Sequence, residues 1–195
     1  MVDVPHPADH SRIANHTLVP TAGIYALDPV HTFVEFSAQH LVVGRVRGRF
    51  ERLSGTVTIA DDPTASTLDV DIDAASLTTL LAMRDDDLRS AGFLDVVNFP
   101  RITYHSTQVA ARPTGEWNVL GDLTVRGITL PVLLVVRFGG SITDSSGNAR
   151  AAFHASGSLT RSAFGVAAEL AEEAGTLSVD DDVTLSIDAE AIRPL

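Results

Sequence analysis

Apolar and polar residues alternate along most of the chain after Gly23. The first clear stretch, residues 34–40, places four residues on one side of a strand: Val34, Phe36, Ala38 and His40. Alternation with a period of two residues is the pattern of a half-buried β-strand. The same pattern returns within residues 45–50, 56–59, 68–73, 102–106, 119–125, 151–159 and 183–188. The sequence therefore predicts about eight strands, each with one apolar face.

Short connections rich in turn-forming residues separate these strands, for example Asp61-Asp62-Pro63, Arg126-Gly127 and Ser145-Ser146-Gly147-Asn148. Short connections imply that neighbouring strands run antiparallel. A sandwich and a closed up-and-down barrel both fit such a pattern. We favour an all-β, eight-stranded, lipocalin-like barrel, because closure removes the exposed edges that long strands would otherwise present.

Residues 76–98 depart from this alternation and follow a helical spacing, with Leu77, Leu80 and Leu81 on one face. Arg89 follows Asp85 by four residues, which predicts a favourable surface pair. A glycine then ends the helix, and Pro100 returns the chain to an extended form. We expect a short helical insertion whose apolar face covers one mouth of the barrel.

The first part of the chain has no period and mixes prolines and histidines with small polar residues. We interpret residues 1–21 as a disordered leader and residues 22–195 as one barrel domain. This leader lacks a basic start followed by an apolar run, so we expect no secretory signal and a cytoplasmic location. No stretch approaches the roughly 18 apolar residues of a spanning helix, so we expect no stable membrane insertion.

Composition excludes several functional classes. The chain has 195 residues, 45% of them hydrophobic, which is ample material for a core. Its formal net charge is −11, which argues against nucleic acid as a partner, because phosphate backbones would be repelled. The chain has no cysteine, so disulfides, thiolate metal sites and cysteine nucleophiles are excluded.

Small residues recur on the face predicted to point inward, among them Gly48, Gly121, Gly157 and Ala155. Such residues leave room in the bore of a small barrel. Alternatively, a glycine inside a strand marks a close approach of another backbone or side chain. If the bore is open, large apolar residues surround it: Phe36, Phe50, Leu123, Leu134, Val136, Phe138 and Phe153. A hydrophobic ligand is the simplest occupant of such a tunnel.

Few polar residues are candidates for contacting a ligand. His40 ends an inward-facing run, where it would either donate to a headgroup or bond a backbone carbonyl. Arg84 and Asp85 begin the helical insertion and would either contact a ligand head or form a structural ion pair. Arg45, Arg47 and Arg49 alternate on the outer surface, where we expect them to pair with the acidic stripe Asp69, Asp71 and Asp73.

Known catalytic and metal-binding motifs are missing from the sequence. No glycine-rich phosphate loop, nucleophile elbow or metal-ligand spacing of histidines occurs. We therefore expect no catalytic residues, no metal and no cofactor other than a bound lipid.

Ordered motifs along residues 23–191 resemble the YceI-like polyisoprenoid-binding family. They include Tyr25-Ala26-Leu27-Asp28-Pro29-Val30-His31-Thr32, Val46-Arg47-Gly48-Arg49-Phe50, Arg84-Asp85, Phe93-Leu94-Asp95, Gly121-Asp122-Leu123-Thr124-Val125-Arg126-Gly127 and Arg161-Ser162-Ala163-Phe164-Gly165. Each motif is weak alone, but their ordered set is specific. Thr32 stands where serine is usual in the family, a change that keeps the hydroxyl.

The resemblance implies a lipocalin-like barrel whose tunnel holds an isoprenoid chain, such as a polyprenyl phosphate or a quinone tail, or another long amphiphilic lipid. It also implies homodimers. Our first hypothesis is therefore a non-enzymatic carrier or store of such a lipid. Its ligand-binding residues are expected to be Phe36, His40, Phe50, Arg84, Asp85, Phe93, Leu123, Phe138, Phe153 and Phe164.

Two other hypotheses remain open. One is a barrel enzyme acting on a lipid or isoprenoid, with His40 as the acid/base and Arg84 as the anion clamp. The other is a solid barrel that serves as an interaction module and exposes a large apolar patch.

Overall fold

The structure is a computed structural model that describes residues 10–14, 17–40, 44–166 and 179–194, with His40 described by its backbone only. The strands are β1 (Ser11–Ala14), β2 (Thr17–Pro20), β3 (Gly23–Leu27), β4 (Phe33–His40), β5 (Gly44–Phe50), β6 (Leu53–Ile59), β7 (Thr67–Asp73), β8 (Leu77–Thr78), β9 (Arg101–Ala111), β10 (Trp117–Val125), β11 (Ile128–Thr143), β12 (Ala149–Thr160) and β13 (Val179–Arg193). The helix α1 spans Ala82–Arg89, and short 3-10 turns occupy Pro63–Ala65, Ala74–Ser76 and Arg161–Phe164.

The strands close into an eight-stranded antiparallel barrel, as predicted. The order around the barrel is β12-β11-β10-β9-β7-β6-β3-β13, and pairing between β12 and β13 closes the ring. Three of the eight wall positions are each formed by two strands in succession. Towards one end of the barrel, β4 continues β3, β5 continues β6, and β8 continues β7. Strand β13 is long enough to pair with both parts of its neighbour, β3 at Ala191 and β4 at Leu185.

The alternation in the sequence corresponds to the two faces of the barrel wall. On β10, Val119, Leu123 and Val125 are buried in the core cluster, whereas Asp122 between them is exposed. An apolar side chain is removed from water only on the inner face, so exposure rises and falls with a period of two residues along strands such as β5 and β10. This agreement explains why the period of two residues predicted the wall correctly.

The helical segment is shorter than its sequence pattern indicated. Helix α1 covers only Ala82–Arg89, while Leu77 and Thr78 form β8 at the edge of β5. Leu80 has a positive φ of 62°, a conformation that a helix does not accommodate, so the helix begins after it. The residues that follow α1 close the barrel end, because Leu94 and Val96 pack against the core cluster.

Part of the predicted disordered leader is an ordered hairpin. Strands β1 and β2 pair antiparallel, and the hairpin packs against β11 through a hydrogen bond between His10 and Thr143 and one between Ser11 and Ser141, each 2.8 Å. Each strand of this hairpin is only four residues long, too short for its alternation to stand out among prolines and histidines. Residues 1–9 of the leader lie outside the described part of the chain.

The strand glycines do not create empty space in the barrel. A Cβ atom at Gly121 would lie 2.4 Å from Cζ of Tyr104, and one at Gly48 would lie 2.3 Å from Cζ of Phe36. At Gly157 it would lie 2.8 Å from the carbonyl oxygen of Leu133. The expectation that these glycines leave room is therefore wrong, and the alternative of close approach is correct.

The arginine and aspartate stripes do not pair with each other. Strand β5 pairs with β4 and β8, whereas β7 pairs with β6 and β9, so the two stripes lie on strands that are not paired with each other. The aspartates have other partners: Asp69 contacts His105, Asp71 contacts Arg101, and Asp73 contacts Arg52. The expected pairing is wrong because alternation in the sequence identifies which residues share a face of a strand but not which strand lies beside it.

Candidate functional site

An apolar cavity of about 200 Å³ lies inside the barrel, and we call it the barrel cavity. Inward-facing residues of most strands line it, including Val34, Val70, Val132, Leu134 and Ile187. None of the described residues that line it is charged. The interior is therefore hollow, as the tunnel hypothesis requires, and it presents hydrocarbon to an occupant.

The β1–β2 hairpin closes one end of the barrel cavity. Val19, which is 3% exposed, and Pro20 are among its lining residues. Arg12 fixes the hairpin to the barrel, because its Nη2 donates to the carbonyl oxygens of Ala60 at 2.7 Å and Asp61 at 2.8 Å. We call this end of the barrel the hairpin end.

The opposite end is closed by the segment after α1 and by the 3-10 turn at Arg161–Phe164. Phe164 is buried in the core cluster, and Gly165 ends the turn with a φ of 66°. The guanidinium of Arg126 joins the two segments, because it donates to the carbonyl oxygens of Ala91, Phe93 and Gly165. This end, which we call the helix end, therefore has a lid held by hydrogen bonds from the Arg126 side chain to main-chain carbonyls.

Three predicted ligand-binding residues line the barrel cavity: Leu123, Phe138 and Phe153. The rings of Phe138 and Phe153 pack at 5.6 Å with a tilt of 46°. This tilted geometry is favourable for aromatic pairs and gives the wall a rigid aromatic surface. The placement agrees with their alternation in β11 and β12.

The other predicted aromatic residues lie near the helix end. Phe36 packs on Phe50 with ring centroids 5.7 Å apart, and Phe50 in turn contacts the core cluster. Phe164 belongs to the core cluster itself, and Phe93 is half-buried. None of these four lines the barrel cavity as it stands. Their predicted contact with a ligand remains a prediction.

Asp85 and Arg84 are engaged with the segment that precedes α1. The Asp85 carboxylate, 5% exposed, accepts from the backbone N–H of Thr79 at 2.7 Å, from the Thr79 hydroxyl, and from the Thr78 hydroxyl at 3.0 Å. Burial alone would raise the pKa of Asp85, but these hydrogen bonds outweigh it and hold the pKa below its ordinary value. Asp85 is thus not half of the predicted surface pair, since Arg89 contacts Asp86 at 3.6 Å and the Leu77 carbonyl.

His40 lies at the end of β4, where its backbone pairs with Gly44 and Val179. Its side chain lies outside the described part of the structure. The roles predicted for the imidazole, as headgroup donor or as acid/base, therefore stay predictions.

Several cavity residues were missed by the sequence analysis, and Trp117 is the most informative of them. It is the only tryptophan, is 6% exposed, and lines the barrel cavity near the hairpin end. Its position two residues before Val119 would have placed it on the inner face. Val19 and Pro20 carried no such signal, because they reach the cavity from a separate hairpin.

A polar cluster on the barrel wall brings together the side chains of Asp28, His31 and Glu190. Such a group has metal-ligating atoms, but Arg150 already bridges it, with its Nη1 2.6 Å from Asp28 and 2.7 Å from Glu190. Hydrogen bonds from Arg150 and then His31 lower the pKa of Asp28 to about 2. The guanidinium supplies the positive charge that these carboxylates require, so the cluster is a structural ion network.

The family model of the YceI-like domain matches residues 25–191 of this chain. The chain belongs to the YceI-like family. The β1–β2 hairpin lies outside the matched residues, so the family match does not account for the closure of the hairpin end. No helix in the described part of the chain is long and apolar enough to span a membrane.

Two bacterial relatives are similar in sequence to this chain over most of their length. A UPF0312 protein of Yersinia pestis (strain Pestoides F) is 34% identical over 164 residues, covering 84% of this chain and 83% of the relative. A UPF0312 protein of Enterobacter sp. (strain 638) is 37% identical over 160 residues, covering 81% of this chain and 80% of the relative.

Solved structures share the barrel fold. BcnA of Burkholderia cenocepacia superposes with a TM-score of 0.74 at 20% identity, covering 84% of this chain and 98% of BcnA. A YCEI protein of Campylobacter jejuni gives 0.68 at 25% identity, covering 80% of this chain and 90% of that protein. A domain from Saccharophagus degradans, described as polyisoprenoid-binding, gives 0.63 at 16% identity, covering 87% of this chain and 98% of the domain.

Proposed function

We propose that this member of the YceI-like family binds the apolar chain of a lipid, with an isoprenoid as the favoured class, in the barrel cavity. The observation that supports this proposal is a hollow interior lined by hydrocarbon, with the β1–β2 hairpin at one end and the segment after α1 at the other. An apolar cavity of about 150 Å³ in a protein stays dry and takes up benzene-sized guests. A larger cavity of the same character is therefore suited to an apolar ligand.

Three hydroxyl groups around the barrel cavity, those of Tyr104, Thr32 and Ser66, already have partners. Tyr104 donates to the carbonyl oxygens of Val119 at 2.9 Å and Val132 at 3.2 Å, and burial raises its pKa, which keeps the proton on the donor. Thr32 donates to the Glu190 carbonyl at 3.3 Å, and Ser66 accepts from the Ala60 N–H at 3.1 Å. These hydroxyls offer an occupant little polar recognition, which favours a ligand recognised by shape and apolar area.

The energetics are adequate for binding without polar contacts. Burying one methylene contributes roughly 0.8 kcal/mol, so about ten buried carbons contribute near 8 kcal/mol before the costs of association. The cavity volume of about 200 Å³ lies below the roughly 300–1,000 Å³ of typical ligand pockets. A chain of many isoprene units must therefore displace wall side chains or emerge from one end of the barrel.

We propose carriage or storage of the lipid rather than its conversion. Catalysis requires a nucleophile, base or acid facing the ligand, and the described residues around the barrel cavity include no charged group and no imidazole. The name of the structurally similar Saccharophagus degradans domain, polyisoprenoid-binding, supports a binding role.

The experiment is native mass spectrometry of the purified protein with lipid extraction, comparing Ala155→Phe with Ala152→Phe. Ala155 lines the barrel cavity, whereas Ala152 is exposed on the same strand, so the two variants add the same ring inside and outside the wall. We expect the unmodified protein and Ala152→Phe to carry a lipid of one hydrophobic class, and Ala155→Phe to lose most of it. Equal occupancy in both variants, or no lipid in any preparation, would contradict the proposal.

A further inference from the structure

A second depression, of about 630 Å³, lies beside β5 and α1, and we call it the arginine cleft. Arg45, Arg47 and Arg49 of β5 and Arg84 of α1 line it. Its volume is within the usual range of small-molecule sites. Four guanidinium groups therefore share one pocket that is distinct from the barrel cavity.

The strand geometry explains why the arginines converge. Alternate residues of a strand project from the same face at intervals of roughly 6.6 Å, so Arg45, Arg47 and Arg49 form one row on the outer face of β5. The neighbouring outer positions across β4 and β13 carry Ser37 and Thr184, which are paired in register. The floor beside the arginine row thus offers hydroxyl groups that can contact the same ligand.

The positive charge of the arginine cleft is only partly compensated. Arg49 contacts Glu51 at 3.0 Å and stands opposite Glu35, the one acidic residue among the described residues that line the cleft. Across residues 10–14, 17–40, 44–166 and 179–194, no carboxylate pairs with Arg45 or Arg47, and both are exposed. A cluster of this kind is unexpected in a chain of net charge −11, where acidic neighbours are plentiful.

Arg84 is held in place before any ligand arrives. Its Nε donates to the Thr79 hydroxyl at 2.8 Å and its Nη2 to the Thr79 carbonyl at 3.1 Å. The same hydroxyl donates to the buried carboxylate of Asp85, which also fixes the Thr79 backbone. Asp85 therefore acts as a positioning residue, and the guanidinium of Arg84 loses little conformational freedom on binding.

We propose that the arginine cleft binds a phosphoryl anion, either free in solution or carried by a lipid headgroup. Guanidinium groups match phosphate oxygens through paired N–H donors, and a row of several suits a ligand with more than one phosphoryl charge. Arg45 and Arg47 supply positive charge that no carboxylate in the described part of the chain pairs with, and Arg84 supplies the preorganised donor. This site is separate from the barrel cavity and does not depend on the proposed lipid chain.

The test has one arm for each source of the anion. Calorimetric titration with inorganic pyrophosphate examines the free anion, and flotation with phosphatidylglycerol/phosphatidylcholine vesicles, against phosphatidylcholine alone, examines the headgroup. The double variant Arg45→Gln/Arg47→Gln is compared with the unmodified chain in both arms. We expect affinity to fall roughly tenfold or more in at least one arm, with stronger binding at low salt.

The matched control is Arg137→Gln, which removes one positive charge from an exposed position on β11 outside the cleft. This variant should bind like the unmodified chain, and circular dichroism should show all variants folded. Binding of pyrophosphate supports a free anion, and binding of anionic vesicles alone supports a headgroup. Absence of binding in both arms, or equal losses in the double variant and in Arg137→Gln, would overturn the proposal.

Discussion

The ring of Tyr104 lies directly over Gly121, at a distance that leaves no space for a side chain on the glycine. A Cβ at Gly121 would lie 2.4 Å from Cζ of Tyr104 and 2.7 Å from the His105 carbonyl oxygen. The missing side chain allows the Tyr104 hydroxyl to reach the carbonyl oxygens of Val119 and Val132. One glycine thus permits a buried tyrosine to link two adjacent strands of the wall.

Gly121→Ala should destabilise the barrel by about 1–3 kcal/mol, because either the tyrosine ring or the backbone must shift. Urea denaturation measures this change as a lower midpoint with an unchanged slope. Gly139→Ala is the matched control, since a Cβ there would meet its nearest neighbour at an ordinary 3.4 Å. Equal stability of the two variants would show that Tyr104 does not constrain Gly121.

The β1–β2 hairpin should control access to the barrel cavity from the hairpin end. Deleting residues 1–20 removes Val19 and Pro20 from the lining and uncovers the region of Trp117. We expect quenching of tryptophan fluorescence by acrylamide to increase several-fold, because the deletion leaves the only tryptophan accessible.

A milder variant tests the same closure without shortening the chain. Arg12→Gln removes the hydrogen bonds to the Ala60 and Asp61 carbonyls that hold the hairpin. Quenching should increase less than in the deletion and more than in Arg137→Gln, which leaves the hairpin contacts intact. If acrylamide quenches the deletion variant, Arg12→Gln and Arg137→Gln to the same extent as the unmodified chain, the hairpin does not control access to the barrel cavity.

Acid should weaken the fold through Asp28. Its pKa is lowered to about 2 in the folded protein from an ordinary 3.8, so the unfolded chain binds the proton more readily. The resulting stabilisation is fully present above about pH 4, declines as pH falls towards 2, and amounts to about 2 kcal/mol at neutral pH.

Asp28→Asn removes this linkage. We expect the variant to be less stable than the unmodified chain at pH 6, with a difference that narrows at pH 3, as measured by urea denaturation at both values. Arg150 also contacts Glu190 at 2.7 Å, and the substitution does not remove this partner, which limits disruption of the remaining ion network. A stability difference that is the same at both pH values would argue against an acid-sensitive role for Asp28.

Much of the barrel wall could be predicted from the sequence, because the alternation of apolar and polar residues indicates which side chains are buried on the inner face. The alternation puts Leu123 and Phe153 on the inner face, and both line the barrel cavity. The hairpin closure was not predictable, since Val19 reaches the cavity from a segment too short to show a period. The arginine cleft required knowledge of which strands are neighbours, and the role of Gly121 required the position of a ring on another strand. Sequence periodicity carries none of that information.

Tryptophan fluorescence during a lipid titration tests the central claim most directly, because Trp117 is the only tryptophan and lines the barrel cavity. The protein would be stripped of lipid and titrated with geranylgeraniol, a prenol without charge. The account predicts a saturable change in emission with one site per chain and micromolar or tighter affinity, reduced in Ala155→Phe and retained in Ala152→Phe. An emission spectrum that does not change with added prenol, or changes equally in both variants, would contradict lipid binding inside the barrel.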